Sequence, residues 1–171
     1  VIDDNEAPAF ELPSFDGGAV LRSDGIFPVH DRTFLVFWRS SCSHCVESLA
    51  ACERFHRRYG GESVAVVGIH ADEEDRLAAR GAAESSGATF PQAHDAGGMT
   101  TARYGVPYET FAVYLVGRDS RVIDARIDPR GDIDAAMEAM LAAPEAAATP
   151  AAGGTASPGD TTRTKGIAAF S

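Results

Sequence analysis

Two stretches of the chain are apolar almost without interruption, Thr33 to Trp38 (TFLVFW) and Ser63 to Ile69 (SVAVVGI). Runs of this length, rich in β-branched and aromatic residues, predict strands covered on both faces, as in a parallel sheet. Between them the period changes. From Ser43 to about Arg58 the larger apolar groups fall at Cys45, Leu49, Cys52, Phe55 and Tyr59, which form one stripe on a helical cylinder. Strand, helix and strand together predict a βαβ unit. Ala71 to Ser86 predicts a second helix, stopped by Gly87, a residue that tolerates the left-handed conformation of a helix end. A short extended piece follows at Thr89 to Gln92. Thr110 to Val116 and Val122 to Ile127 predict two strands joined by the polar turn Gly117 to Arg121, hence an antiparallel pair. Ile133 to Ala143 predicts a closing helix, and Ala9 to Leu21 breaks around Asp16-Gly17-Gly18 into two short extended pieces, a hairpin signal. The fold class expected is α/β, a central mixed sheet flanked by helices.

Beyond about Pro144 the pattern stops. The run AAATPAAGGTASPGD offers too little apolar surface to offset its ordering entropy. One domain is therefore expected over residues 1–143, with 144–171 as a disordered tail or a linker to a further domain. At 171 residues and 44% hydrophobic composition, the chain can build a core without staples. Its net charge of −10 argues against nucleic acid and anionic membrane surfaces, which need clustered Lys and Arg. No stretch approaches the roughly 18 apolar residues of a membrane span. The first residue is Val1 rather than Met, so a processed chain is expected, with any targeting or anchor segment outside it.

The chemistry lies in WRSSCSHC, residues 38–45. Cys42 and Cys45 are one helical turn apart, a rise of about 4.5 Å at about 1.5 Å per residue, within disulfide reach. Cys52 lies about 10 Å further along the same stripe, too far to bridge Cys45 within an intact helix. It is expected to be a small core residue. Cys42 follows a buried strand and should sit at the helix N-terminus, where free N–H groups stabilise a thiolate. That makes Cys42 the candidate nucleophile and Cys45, one turn inside, the resolving thiol. His44, between them, is expected to favour the Cys42 thiolate, the bland alternative being a solvated loop histidine. A zinc site would need partners from His56, His70 and His94, whose spacing matches no usual second ligand pair, so no metal and no cofactor is expected.

Placed at a strand-to-helix junction, this motif resembles the redox site of thioredoxin-fold proteins of the TlpA/ResA/DsbE type, an extracytoplasmic branch related to the AhpC/TSA proteins. The resemblance spans roughly residues 7–143. It runs in order through APAFELPSFDGGAVLRSD, FLVFWRSSCSHC, VVGIHADEED, TFPQAHDAGGMTTARYGV and ETFAVYLVGRDSRVI. The resemblance implies a thioredoxin-like fold with an N-terminal hairpin and an inserted αβ segment. It also implies thiol–disulfide exchange on client protein disulfides, a membrane thiol carrier as electron donor, a monomer, and a periplasmic or otherwise extracytoplasmic location. It implies a cis-proline before the closing strand, which is Pro107 through a cis Val106–Pro107 bond, or else Tyr108 in that place. Glu109 resembles an acidic residue that some relatives hold near the site, able to relay the proton of the buried thiol; a surface strand-end glutamate is the alternative.

Four positions differ from the thioredoxins, the family's own relatives or the peroxiredoxins. Val36 stands where thioredoxins bury an Asp, Ser41 where relatives carry Trp, and Ala50 where many have a helix-kinking Pro, so a straighter helix is expected. Arg39 stands three residues before Cys42, where peroxiredoxin-like sites have Thr, which counts against a peroxidase. Reduction of client disulfides is the expected direction. Oxidase or isomerase activity is the alternative that His44 favours. A redox-inert or metal-binding module of the same fold is the alternative of another class, although copper-delivering relatives use a C-x-x-x-C spacing.

Overall fold

The computed structural model describes residues 5–71 and 76–143. The chain opens with strand β1 (Glu11–Pro13) and strand β2 (Val20–Arg22), paired antiparallel with Glu11 opposite Arg22. Gly17 supplies the left-handed residue of the turn between them (φ 74°). A short helix α1 (Ser23–Ile26) runs on into a 3₁₀ turn, Phe27–Val29. Strand β3 (Arg32–Trp38), helix α2 (Ser43–Tyr59) and strand β4 (Val64–His70) form the expected βαβ unit, with Trp38 in register with His70. Helix α3 (Arg76–Ser85) and strand β5 (Gln92–His94) follow, and β5 pairs parallel with β4. A 3₁₀ turn (Ala96–Gly98) leads into helix α4 (Met99–Arg103). Strands β6 (Ala112–Gly117) and β7 (Val122–Ile127) make the antiparallel hairpin, and helix α5 (Ile133–Ala142) closes the fold.

The five-stranded sheet runs β5-β4-β3-β6-β7, parallel on one side of β3 and antiparallel on the other. Its centre explains the unbroken apolar run. Phe34, Val36 and Trp38 point into one core with Leu49, Cys52 and Phe55 of α2, Ala79 and Ala83 of α3, and Met137 and Met140 of α5. Leu35 and Phe37 point into a second core with Phe27, Ile69, Tyr104 and Tyr114. With both faces covered, no position of β3 beyond Arg32 meets water, so alternation disappears from its sequence.

Two boundaries moved. Strand β5 begins at Gln92 rather than Thr89, and its buried residues include two polar ones; the Gln92 amide oxygen accepts the Trp38 indole N–H at 3.0 Å. β6 begins at Ala112, two residues late, because Glu109 takes the left-handed region (φ 52°) in a turn before it. The second helix is described from Arg76; its expected first turn falls on residues 72–75, outside the described residues. α2, with Ala50 in place of proline, is one unbroken 17-residue helix. The described residues up to Leu141 make one compact unit. The expected tail, 144–171, lies outside the described residues.

Candidate active site

The end of β3 fixes the start of the site. Trp38 is buried, and the three residues Arg39, Ser40 and Ser41 carry the chain to Cys42, which is the N-cap of α2 with extended backbone (φ −103°, ψ 107°). Its sulfur accepts the backbone N–H of Cys45 at 3.1 Å, the bond a Ser or Asp side chain makes at an ordinary N-cap. A Cys42 sulfur so placed meets one of the orphan donors of the first turn and the positive end of the helix dipole. Cys42 is half-buried, whereas Cys45 is fully buried one turn inside, and both are free thiols. Burial pushes the Cys45 thiol up to about 12, assisted by its hydrogen bond to Cys42 and opposed by a backbone hydrogen bond from Arg39 and by that residue's charge. The pair is therefore unequal: one sulfur is reachable on a helix N-terminus, and the other is buried with its proton held.

Cys52 is fully buried in the core between α2 and the sheet, and burial pushes its thiol pKa well up, so it is a packing residue. Val36 lies in the same core as Cys45, so the position at which thioredoxins bury a carboxylate is apolar here.

His44 is positioned by the loop after β7. Its Nε2–H donates to the Pro129 carbonyl at 3.1 Å, and its ring meets Phe111 edge-on at 6.1 Å. In the neutral ring this bond places the proton on Nε2. The imidazole thus ties the first turn of α2 to the segment between β7 and α5.

The stretch before β6 differs from expectation. All peptide bonds of the described residues are trans, so the Val106–Pro107 bond is trans and the expected cis bond is corrected. The chain reverses instead through the Tyr108–Glu109 turn, in which Glu109 adopts φ 52°. Pro107 and Glu109 are exposed. Tyr108, named from sequence only as an alternative to Pro107, is 73% exposed and lies under the Arg39 guanidinium, whose Cζ is 4.5 Å from the ring centroid.

Sequence reasoning missed two contributors. Arg39 entered only as an argument against a peroxidase, although its place three residues before Cys42 was legible. Its carbonyl accepts the Cys42 N–H at 3.3 Å, and its Nη1 donates to the Ala71 carbonyl beyond β4. His70 was weighed only as a zinc ligand. It is buried at the end of β4, and its Nε2 accepts the Ser40 N–H at 3.3 Å and lies 2.6 Å from the Ser40 hydroxyl, which anchors the loop before Cys42. Its ring stacks on His94 at 5.5 Å and 16°, and meets Trp38 edge-on at 4.6 Å. Parallel stacking keeps the two imidazoles' in-plane lone pairs from converging. Among the described residues no three His, Cys, Asp or Glu side chains gather as a metal site.

A helix N-terminal C-x-x-C on a mixed five-stranded sheet, with the reachable sulfur leading and the buried one a turn behind, defines the thioredoxin-like thiol:disulfide oxidoreductases. The chain belongs to the AhpC/TSA family, whose model matches residues 4–134. Among solved structures it is similar to a Chlorobium tepidum protein described as a thiol:disulfide interchange protein DsbE. There the TM-score is 0.71 and the identity 24%, over 82% of this chain and 96% of that one. It is also similar to a secreted Mycobacterium tuberculosis disulfide oxidoreductase described as homologous to Escherichia coli DsbE, with TM-score 0.66 and 20% identity, covering 78% and 94%. A Bacteroides fragilis thiol-disulfide oxidoreductase gives TM-score 0.65 and 23% identity, covering 80% and 98%. No curated protein matches by sequence.

Proposed function

We propose that this protein reduces disulfides of client proteins in an extracytoplasmic compartment, with Cys42 as nucleophile and Cys45 as resolving thiol. The carrying observation is the asymmetry of the pair: a half-buried Cys42 sulfur on the α2 N-terminus, 3.1 Å from the Cys45 N–H, with the Cys45 thiol buried behind it. The Cys42 thiolate attacks one sulfur of the client disulfide, forming a mixed disulfide and releasing the other client sulfur as a thiolate. Cys45 then passes its proton to the released client thiolate and attacks Cys42. The Cys42–client bond breaks, a second client thiolate leaves, and two electrons have passed from the pair to the client. A membrane thiol carrier returns the pair to the reduced state. The protein acts as a monomer, and the turn at Pro107, Tyr108 and Glu109 borders the client groove. The location is supported by similarity to a protein described as secreted. No helix among the described residues is long and apolar enough to cross a membrane.

The opposite direction, oxidase or isomerase, draws on one observation: a histidine inside the motif, fixed by Pro129; an imidazole acting on the Cys42 sulfur would favour its reduced and charged form. Equilibrating the protein against glutathione decides between them. A potential near or below about −270 mV supports the reductant, and one between about −180 and −120 mV supports the oxidant or isomerase. Failure of the pair to cycle at all, with stoichiometric metal bound instead, would mark a binding module.

A further inference from the structure

Most arginines that the structure describes are ion-paired, as Arg54 with Asp134, Arg57 with Glu53 and Arg118 with Asp31. Arg39 differs. Among the described residues no carboxylate lies within ion-pair distance of it, in a chain whose net charge is −10. Its guanidinium is nonetheless held. Nη1 donates to the Ala71 carbonyl, and the face lies 4.5 Å over the exposed Tyr108 ring. Two segments, the residue after β4 and the turn before β6, thus hold one positive group beside the redox motif. That group shares its own backbone with the site, since its carbonyl accepts the Cys42 N–H. A carbonyl and a ring orient a guanidinium without neutralising it, and a half-buried cation retains the donors of its fork for an incoming carboxylate.

We infer that Arg39, stacked on Tyr108, is a docking cation that selects client cysteines flanked by acidic side chains. This deepens the disulfide-exchange reading and depends on it. The carboxylate is bound and not consumed. In each exchange Cys42 still takes one client sulfur and the other still leaves as a thiolate, while Arg39 keeps its proton throughout. The effect is on encounter and orientation, so it is sensitive to salt.

The test uses the full chain, reduced, and three synthetic peptides. Each carries one cysteine in a mixed disulfide with mercaptoethanol, flanked on both sides by Asp, Ser or Lys. Second-order reduction rates are compared within each protein as the ratio of the Asp to the Lys peptide. The wild type is expected to prefer the Asp peptide about tenfold at low ionic strength, with most of the preference lost in about 0.5 M salt, where the Debye length shrinks to about 4 Å. In Arg39→Gln the ratio is expected to fall to within about twofold of unity, and in Arg39→Lys to stay above about threefold. A wild-type ratio near one, or an Arg39→Gln ratio equal to that of the wild type, overturns the docking role. The salt series on the wild type alone decides the matter should the Gln variant fail to fold. Absence of reduction for all three peptides by the wild type overturns the exchange reading itself, and this inference with it.

Discussion

At the residue scale the three cysteines have the same side chain and different work, and the difference is their position on α2. Cys42 caps the helix, Cys45 lies one turn in, and Cys52 lies two turns further, inside the core. Cys42→Ser is expected to abolish disulfide exchange. Cys45→Ser is expected to leave the first attack intact and to accumulate the mixed disulfide, because nothing remains to attack Cys42. Cys52→Ala should keep exchange at the wild-type rate while lowering stability by about 1 kcal/mol, the cost of a small cavity. Trapping by mass spectrometry and a urea transition read these outcomes, and loss of exchange in the Cys52 variant would contradict its packing role. His44 carries a prediction of its own. Its imidazole is held by the Pro129 carbonyl at the first turn of α2, and the role proposed for it is to act on the charged Cys42 sulfur and not on the disulfide. His44→Thr is expected to make the couple more reducing, by about 30 mV if the interaction is worth about 1.4 kcal/mol. An unchanged potential in a glutathione titration would reduce His44 to a strut between α2 and the loop after β7.

At the scale of elements, the parts legible in the sequence are those whose burial is uniform along their length. β3, β4 and β6 stand out because both faces are covered, and α2 because one stripe of it is. β5 is harder to see because its buried residues are Gln92 and His94, whose polar groups meet Trp38 and His70 inside the fold. α1 and α4 are four and five residues long, too short for a period to declare itself. The redox pair was readable because its chemistry depends on local spacing. The trans bond at Pro107 was not, because backbone geometry there is set by the Tyr108–Glu109 turn, and Arg39 and His70 gain their roles only when β4 is laid beside β3. One contact between elements supports a prediction. Glu53, buried on α2, accepts the Thr89 N–H and hydroxyl at 2.7 Å each and Arg57 Nε at 2.8 Å, which pins the segment before β5 to the helix. Burial alone would raise its pKa, but the bonds from Thr89 and Arg57 outweigh burial and hold the carboxyl below its ordinary value. A depressed folded pKa means that its stabilisation is complete above the unfolded value of about 4.3 and is lost as pH falls through the folded value. Glu53→Gln is therefore expected to cost about 1–3 kcal/mol at pH 7 in urea unfolding. The gap between variant and wild type should narrow below about pH 4, and a gap independent of pH would mean that shape and not charge is what Glu53 supplies.

At the scale of the whole molecule the question is what the sheet needs in order to be complete. The core between α2 and the sheet is closed by α5, whose Ile133, Met137 and Met140 are buried against Phe34, Leu49 and Phe55. Burying side chains of this size is worth about 1.5–3 kcal/mol each, so α5 cannot be removed without opening the core over Cys52. Its last described turn marks where the apolar pattern also ends in the sequence, at Ala143, before the Ala, Pro, Gly and Thr run begins. Segments of that composition lack the apolar periodicity with which to pack on a finished core. Ending the chain after Ala143 is therefore expected to leave the melting temperature within about 2 °C of the full chain, whereas ending it after Asp132, before α5, should abolish the cooperative transition. Calorimetry of the two truncations reads both results. A fall of more than about 5 °C on removing 144–171 alone would show that the segment contributes more than about 1 kcal/mol to the fold, and that the redox unit extends past α5.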